Sequence, residues 1–267
     1  MTIIHAVFYG IIQGLSEFLP VSSSGHLALL PVWFNFKDPG VEFDLMMHVG
    51  TAFAVLLYFY KDFLINLKSL PRVFTKDDTA DVWLTRNLLI AFIFSTVFIL
   101  ILKKPSEMFG RSVGIISINL ALFGLLLWFS DRKKDVETVF FQKPFWKKAI
   151  VVGISQAIAI FPGVSRSGIT ITAARMVGIG REEAARFSFL LSLPIILAAT
   201  CLKVLEIYKA DAVEFNWILC LVGMFISFVV GLVTIHFFLK FIVRLGFFPF
   251  AIYRVLLAVV LYLQFMN

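Results

Sequence analysis

Residues 13–25 read QGLSEFLPVSSSG, and residues 156–168 read QAIAIFPGVSRSG. A shift of 143 residues lays the second stretch on the first without a gap. Gln13, Phe18, Val21, Ser22, Ser24 and Gly25 then coincide with Gln156, Phe161, Val164, Ser165, Ser167 and Gly168. Six identities in thirteen positions of such polar sequence mark an internal repeat.

Each of these stretches interrupts an apolar one. Residues 3–34 and 147–178 are apolar at both ends and broken in the middle by Pro, Gly, Ser and charge. Around them run continuous apolar segments at about residues 43–60, 84–102, 113–129, 187–203, 217–239 and 248–265. Each suits a hydrocarbon core of about 30 Å. The chain is 60% hydrophobic, against about 45–50% for an average soluble domain, and its mean hydropathy is +0.93. Because the segments are apolar on every face, they read as helices and exclude a β-barrel, whose strands alternate. The expected fold is therefore an all-α polytopic membrane protein with six transmembrane helices and two re-entrant helix pairs. Irregular backbone at membrane depth survives only where protein or a cavity surrounds it. Residues 1–130 and 145–267 each hold one pair followed by three spans. An odd number of spans turns the second half upside down, which makes an inverted-topology repeat.

Loop charge sets the expected orientation. Loops around 61–86, 130–148, 175–186 and 240–244 contain sixteen Lys plus Arg, whereas those around 37, 103–111 and 203–209 contain six. The richer set marks the cytoplasmic face, which leaves both termini and the mouth of the first pair outside. The same distribution accounts for the net charge of +7 without a nucleic-acid partner, since no basic stripe interleaved with aromatics is present. Cys201 and Cys220 match no metal or redox spacing and read as packing residues. No disposable leader is expected, because the first apolar stretch runs straight into the first polar tip.

Two tips carry the chemistry. Gln13, Glu17, Pro20, Ser22, Ser23, Ser24, Gly25 and His26 lie within fourteen residues of an apolar segment, and ionisable groups there are functional by default. Gln13 and Glu17, four apart, share a helix face. Pro20 is expected to end that helix and the serines to cap the next. A helix starting near Ser23 aims free N–H groups and its positive end at the tip, where an anion is favoured. His26 follows Ser23 by one turn. The second tip, Pro162 to Gly168 followed by Thr170 and Thr172, adds Arg166, whose planar fork suits phosphate oxygens. Gly163 and Gly168 allow close backbone approach to a ligand. A structural Arg166–Glu17 ion pair is the competing reading, and it is compatible with one that opens for phosphate. Asp44 and His48, at the start of a span, read as lining the cavity or forming a buried hydrogen bond, and Asn119 as an interhelical one. His5 and His236 read as structural, and Arg175, Arg181 and Arg186 as a cytoplasmic rim. Arg254, early in the last span, fits snorkelling and a buried partner equally well.

QGLSEFLPVSSSGH and PGVSRSG, with FDLMMHVGT, RFSFLLSLP and FPFAIYR, resemble bacterial undecaprenyl-diphosphate phosphatases of the bacitracin-resistance type nearly end to end. The family's first signature takes Glu or Gln at the position of Gln13, so Glu17 is left as the carboxylate available to a metal. The resemblance implies an enzyme of the bacterial plasma membrane. Its activity would be hydrolysis of undecaprenyl diphosphate to undecaprenyl phosphate, which recycles the lipid carrier for peptidoglycan and confers bacitracin resistance. It implies Glu17, Ser23, His26 and Arg166 as catalytic positions, with Gln13, Ser22, Ser24, Gly25, Ser165, Ser167, Gly168 and Thr170 binding substrate. Mg²⁺ or Ca²⁺ is the implied cofactor. The expected partners are the polyprenyl diphosphate and membrane lipids, with homodimerisation open.

Phosphoryl transfer needs a nucleophile, charge neutralisation and help for the leaving group. Two schemes stand. Either Ser23 attacks and His26 or Glu17 takes its proton, or His26 attacks with Glu17 as base or metal ligand. The alternative from another class is a transporter of lipid phosphate or an anion, since inverted repeats with broken helices are a transporter design. A nucleophile beside a base favours hydrolysis over transport. A scaffold role would leave both polar tips unexplained.

Overall fold

A computed structural model describes residues 1–108, 112–132, 145–209 and 216–265, with the side chains of 41, 202–209 and 265 left aside. Parts of the loops counted for charge, at 109–111 and 133–144, lie outside the described residues. The described chain is helical, without a strand. Its helices are α1 (Ile3–Ser16), α2 (Ser23–Phe34), α3 (Val41–Tyr58), α4 (Tyr60–Ser69), α5 (Ala80–Glu107), α6 (Val113–Asp131), α7 (Trp146–Ala157), α8 (Arg166–Met176), α9 (Arg181–Lys209), α10 (Trp217–Leu245) and α11 (Phe248–Phe265).

Four of these are long and apolar enough to cross a bilayer: Ala80–Glu107, Val113–Asp131, Arg181–Cys201 and Trp217–Leu245. The α3 helix and the segment Tyr60–Arg72 meet at 80° and pass the same test only as a pair, giving up to five spans. The sixth expected segment, 248–265, forms α11, whose apolar part Phe248–Gln264 is shorter. The protein is thus a multi-pass membrane protein by length and composition. Its outer surface agrees: Ile93, Leu100, Ile101, Phe129, Phe225 and Leu256 are each more than half exposed, an arrangement that suits lipid and not water.

One stretch read as loop is largely helix. Within 61–86, residues 60–69 form α4, a 3₁₀ turn follows at Leu70–Arg72, and α5 begins at Ala80. Polar residues on α4 lowered its hydropathy enough to hide it; Asp62 accepts from Arg186 of α9 at 2.5 Å.

Both broken stretches form two short helices around an irregular tip: α1 and α2 flank residues 17–22, and α7 and α8 flank a 3₁₀ turn and residues 161–165. Helix packing crosses between the halves. The α1 helix lies against α10, α7 lies against α5, and α6 pairs with α11. Small residues let the backbones approach. A Cβ on Gly10 would stand 2.5 Å from the Gly223 carbonyl oxygen, and one on Gly153, 143 residues later, 2.5 Å from that of Ala91. At the end of α6, buried Asp131 accepts from Arg181 Nε at 2.8 Å, from Arg181 Nη2 at 3.0 Å and from the Phe247 N–H at 2.9 Å. It thereby ties α6, α9 and the α10–α11 joint.

Candidate active site

Each tip is built by a serine in an unusual conformation. Ser22 and Ser165 have φ of 79° and 75°, and Asn35 is the other non-glycine residue with positive φ among those described. An L-residue in this region carries strain of about 1–2 kcal/mol. The conformation turns each serine into the N-cap of the following helix: Ser22 Oγ accepts from the Gly25 N–H, and Ser165 Oγ from the Gly168 N–H. Caps take N3, and the serine carbonyls take the next amide, at His26 and Ile169. The N–H groups of Ser23 and Ser24, and of Arg166 and Ser167, meet no acceptor among the described residues. Two positive helix ends with four free donors therefore meet at the tips. The first helix ends earlier than Pro20, at Ser16, with Glu17 still in helical conformation.

Glu17 is the centre of the cluster. Oε1 accepts from Arg166 Nη2 at 2.6 Å. Oε2 accepts from Ser23 Oγ at 2.6 Å and from Gln13 Nε2 at 2.9 Å, and His48 Nδ1 stands 3.1 Å from it. Arg166 also donates to the Ser188 carbonyl at 3.1 Å. The ion pair foreseen as a competing reading is present, and it coexists with the serine contact. His48, read as lining the cavity or forming a buried hydrogen bond, reaches the carboxylate and stands 2.7 Å from Gln13 Nε2. Gln13 Oε1 is buried without a partner.

His26 lies beside this group but engages elsewhere. Its Nδ1 is 2.7 Å from the Ser22 carbonyl oxygen, and its Nε2 is 2.6 Å from the Tyr253 hydroxyl. Tyr253 is a residue that sequence reading missed; FPFAIYR carried no polar pattern to single it out. Its neighbour Arg254 is resolved in favour of burial. The side chain is fully enclosed and donates to five carbonyls: Pro20 in the first tip, Gly163 and Val164 in the second, and Asn119 and Leu120 of α6. Asn119 Nδ2 adds a bond to the Pro162 carbonyl at 2.7 Å; where an interhelical bond was expected, it joins α6 to the second tip.

The remaining serines and threonines divide by exposure. Ser24 is exposed and Ser23 and Arg166 are partly so, whereas Ser22, Ser165, Ser167 and Thr170 are buried. Ser167 Oγ donates to the Leu19 carbonyl, and Thr170 meets Ser188 Oγ at 2.6 Å. The glycines approach the protein itself. A Cβ on Gly168 would stand 2.8 Å from Arg254 Nη1, and one on Gly163 would stand 2.6 Å from the Ile116 carbonyl oxygen.

A hydroxyl hydrogen-bonded to a carboxylate, beside a guanidinium and free backbone N–H groups, is a set of groups suited to phosphoryl transfer. Fold and site together define a polytopic membrane phosphatase. The family described as Bacitracin resistance protein BacA matches residues 6–260, and the chain belongs to it. Relatives include an undecaprenyl-diphosphatase of Marinobacter nauticus, 41% identical over 267 residues and 98% of each chain. That of Saccharophagus degradans is 43% identical over 257 residues and 96% of each chain. That of Idiomarina loihiensis is 40% identical over 270 residues, 99% of this chain and 100% of the relative.

Proposed function

We propose that this protein hydrolyses undecaprenyl diphosphate to undecaprenyl phosphate and inorganic phosphate, with Ser23 as nucleophile and Glu17 as its base. The observation that carries the reading is the 2.6 Å contact of Ser23 Oγ with Glu17 Oε2, on a carboxylate whose other oxygen holds Arg166. Of the two schemes open from sequence, this contact favours attack by Ser23, because His26 Nε2 is turned to Tyr253. The diphosphate draws Arg166 part way from Glu17 and takes up the free N–H groups of Ser23, Ser24, Arg166 and Ser167. Glu17 accepts the Ser23 proton as Oγ attacks the terminal phosphorus, and undecaprenyl phosphate leaves. Buried Ser22, Ser165, Ser167 side chain and Thr170 hold the tips in shape, while Ser24 contacts the phosphate.

The Glu17 carboxylate faces the Gln13 amide nitrogen, and turning that amide over would bring its unpartnered Oε1 beside the carboxylate; the two would then suit a hard divalent ion that takes its other ligands from phosphate and water. Such an ion, Mg²⁺ or Ca²⁺, would neutralise charge on the transferring oxygens. The halves are read as inverted repeats in the bacterial plasma membrane, with the site opening outward. Cross-half helix packing and the matching cap strain at Ser22 and Ser165 support the repeat, and loop charge supports the orientation. The reading leaves homodimerisation open.

The test is phosphate release from undecaprenyl diphosphate by detergent-purified protein, with and without EDTA. Wild type is compared with Glu17→Ala, Ser23→Ala, His26→Ala and Arg166→Ala. Release that needs divalent ion and all four side chains is expected. No release from folded wild type would move the reading to transport.

A further inference from the structure

His26 has a fixed tautomer. The Ser22 carbonyl only accepts, so Nδ1 carries a hydrogen and the neutral ring keeps its lone pair on Nε2. That lone pair receives the Tyr253 hydroxyl at 2.6 Å, and the two rings stack with planes 9° apart. Tyr253 comes from α11 in the other half of the chain. Its hydroxyl has no second partner among the described residues. The residue is 44% exposed, so the phenol can leave Nε2 without disturbing the core. Ser23, one turn earlier on the same helix, gives its proton to Glu17 instead. The imidazole therefore has no part in activating the nucleophile, yet it holds an aimed lone pair. Side chains three apart on a helix are neighbours on one face, with Cβ atoms about 5–6 Å apart, so a phosphoryl group on Ser23 stands on the same face as His26.

We infer that Tyr253 is a positioning residue for the second, water-consuming half of the reaction: it aims His26 Nε2 at the place of the hydrolytic water and yields that place to the water. This rests on the proposed seryl phosphate on Ser23. In the step, the water oxygen bonds to phosphorus and the bond from Ser23 Oγ to phosphorus breaks. His26 Nε2 takes one water proton, and Glu17 returns to Oγ the proton it took earlier. The departing phosphate carries away the proton held by His26, which restores the resting site. The division of labour is one base per half-reaction, Glu17 for the serine and His26 for the water.

The experiment uses undecaprenyl diphosphate carrying ³²P in its terminal phosphate, with detergent-purified protein quenched in acid during turnover. Tyr253→Phe keeps the stacked ring and loses the hydroxyl. Its kcat should fall about fivefold to tenfold with KM within about twofold, while acid-stable label builds up on Ser23 above the wild-type level. His26→Ala should trap more label on Ser23. A fold defect would lower kcat without trapping label. Tyr253→Phe at wild-type kcat, or slowed without label on Ser23, would overturn the inference even if His26→Ala traps the seryl phosphate. Base-stable, acid-labile label on His26, sought in a parallel sample quenched in alkali, would overturn the underlying Ser23 reading and this inference with it.

Discussion

Glu17→Gln separates chemistry from folding. In the wild-type protein the carboxylate receives Arg166, Ser23 and Gln13 at 2.6, 2.6 and 2.9 Å. An amide of the same shape keeps one oxygen for Arg166. Its nitrogen falls where Oε2 stood and would meet the Gln13 amide nitrogen, donor against donor. Rotating the Gln13 amide by half a turn brings its unpartnered Oε1 to accept from the new nitrogen, and Ser23 Oγ can accept as well as donate. The contact between residues 13 and 17 is thus restored, while the Gln13 nitrogen moves to the buried position that offers no partner, His48 Nδ1 meets an oxygen in place of that nitrogen, and the charge opposite Arg166 is lost. That guanidinium retains the Ser188 carbonyl and is 15% exposed. The stability cost should therefore sit below the roughly 3–5 kcal/mol of an ion pair broken by outright removal of one partner. Catalysis has no such rescue, because an amide takes no proton from Ser23. General-base contributions of about 10²–10⁴ in rate correspond to roughly 3–5 kcal/mol of barrier. The assays are phosphate release at saturating lipid, and melting in detergent followed by a thiol-reactive or intrinsic fluorescence signal. A variant that melts close to wild type yet loses at least about a hundredfold in kcat is expected. A kcat within tenfold of wild type would refute Glu17 as the base.

Arg254→Lys should destabilise the protein and abolish most activity together. An ammonium has three donors in place of a planar five, so at least two carbonyl contacts are lost, at about 1.5–3 kcal/mol each. Melting temperature and phosphate release should both fall, and intact melting would remove the clamp role. Gly153→Ala places a Cβ 2.5 Å from the Ala91 carbonyl oxygen. Forcing α7 off α5 should cost about 1–3 kcal/mol and lower the melting temperature, without touching the residues around Glu17. An unchanged melting curve would show that the contact gives way freely.

The polar tips were legible because a carboxylate, hydroxyls and a guanidinium stand out in apolar sequence, and because the repeat lays one tip on the other. What stayed hidden depends on which side of a helix faces inward. His48 lies 31 residues from Glu17, and only the packing of α3 beside α1 brings them together. Arg254 presented one charge near a helix end, where lipid interface and protein interior offer equal accommodation. Burial against five carbonyls follows from Gly124 and Gly168, whose missing Cβ atoms leave its path open. Gly168 had been read as making room for a ligand, but the same absence of a side chain serves Arg254. Tyr253 was invisible because aromatic residues are common in membrane helices. The helix at 60–69 was lost for the opposite reason, since its charges looked like loop.

Because the guanidinium gathering both tips sits at position 254 of 267, the catalytic centre has a schedule. A ribosome delivers Glu17, Ser23 and His26 first and Arg166 later, but the fastening for all of them arrives only with α11. Until that helix is inserted the nascent chain holds every reactive group and no finished site. A stop codon ahead of Arg254 would leave Glu17, Ser23, His26 and Arg166 in the chain and remove the group that fastens their two tips together, so phosphate release should be lost with it.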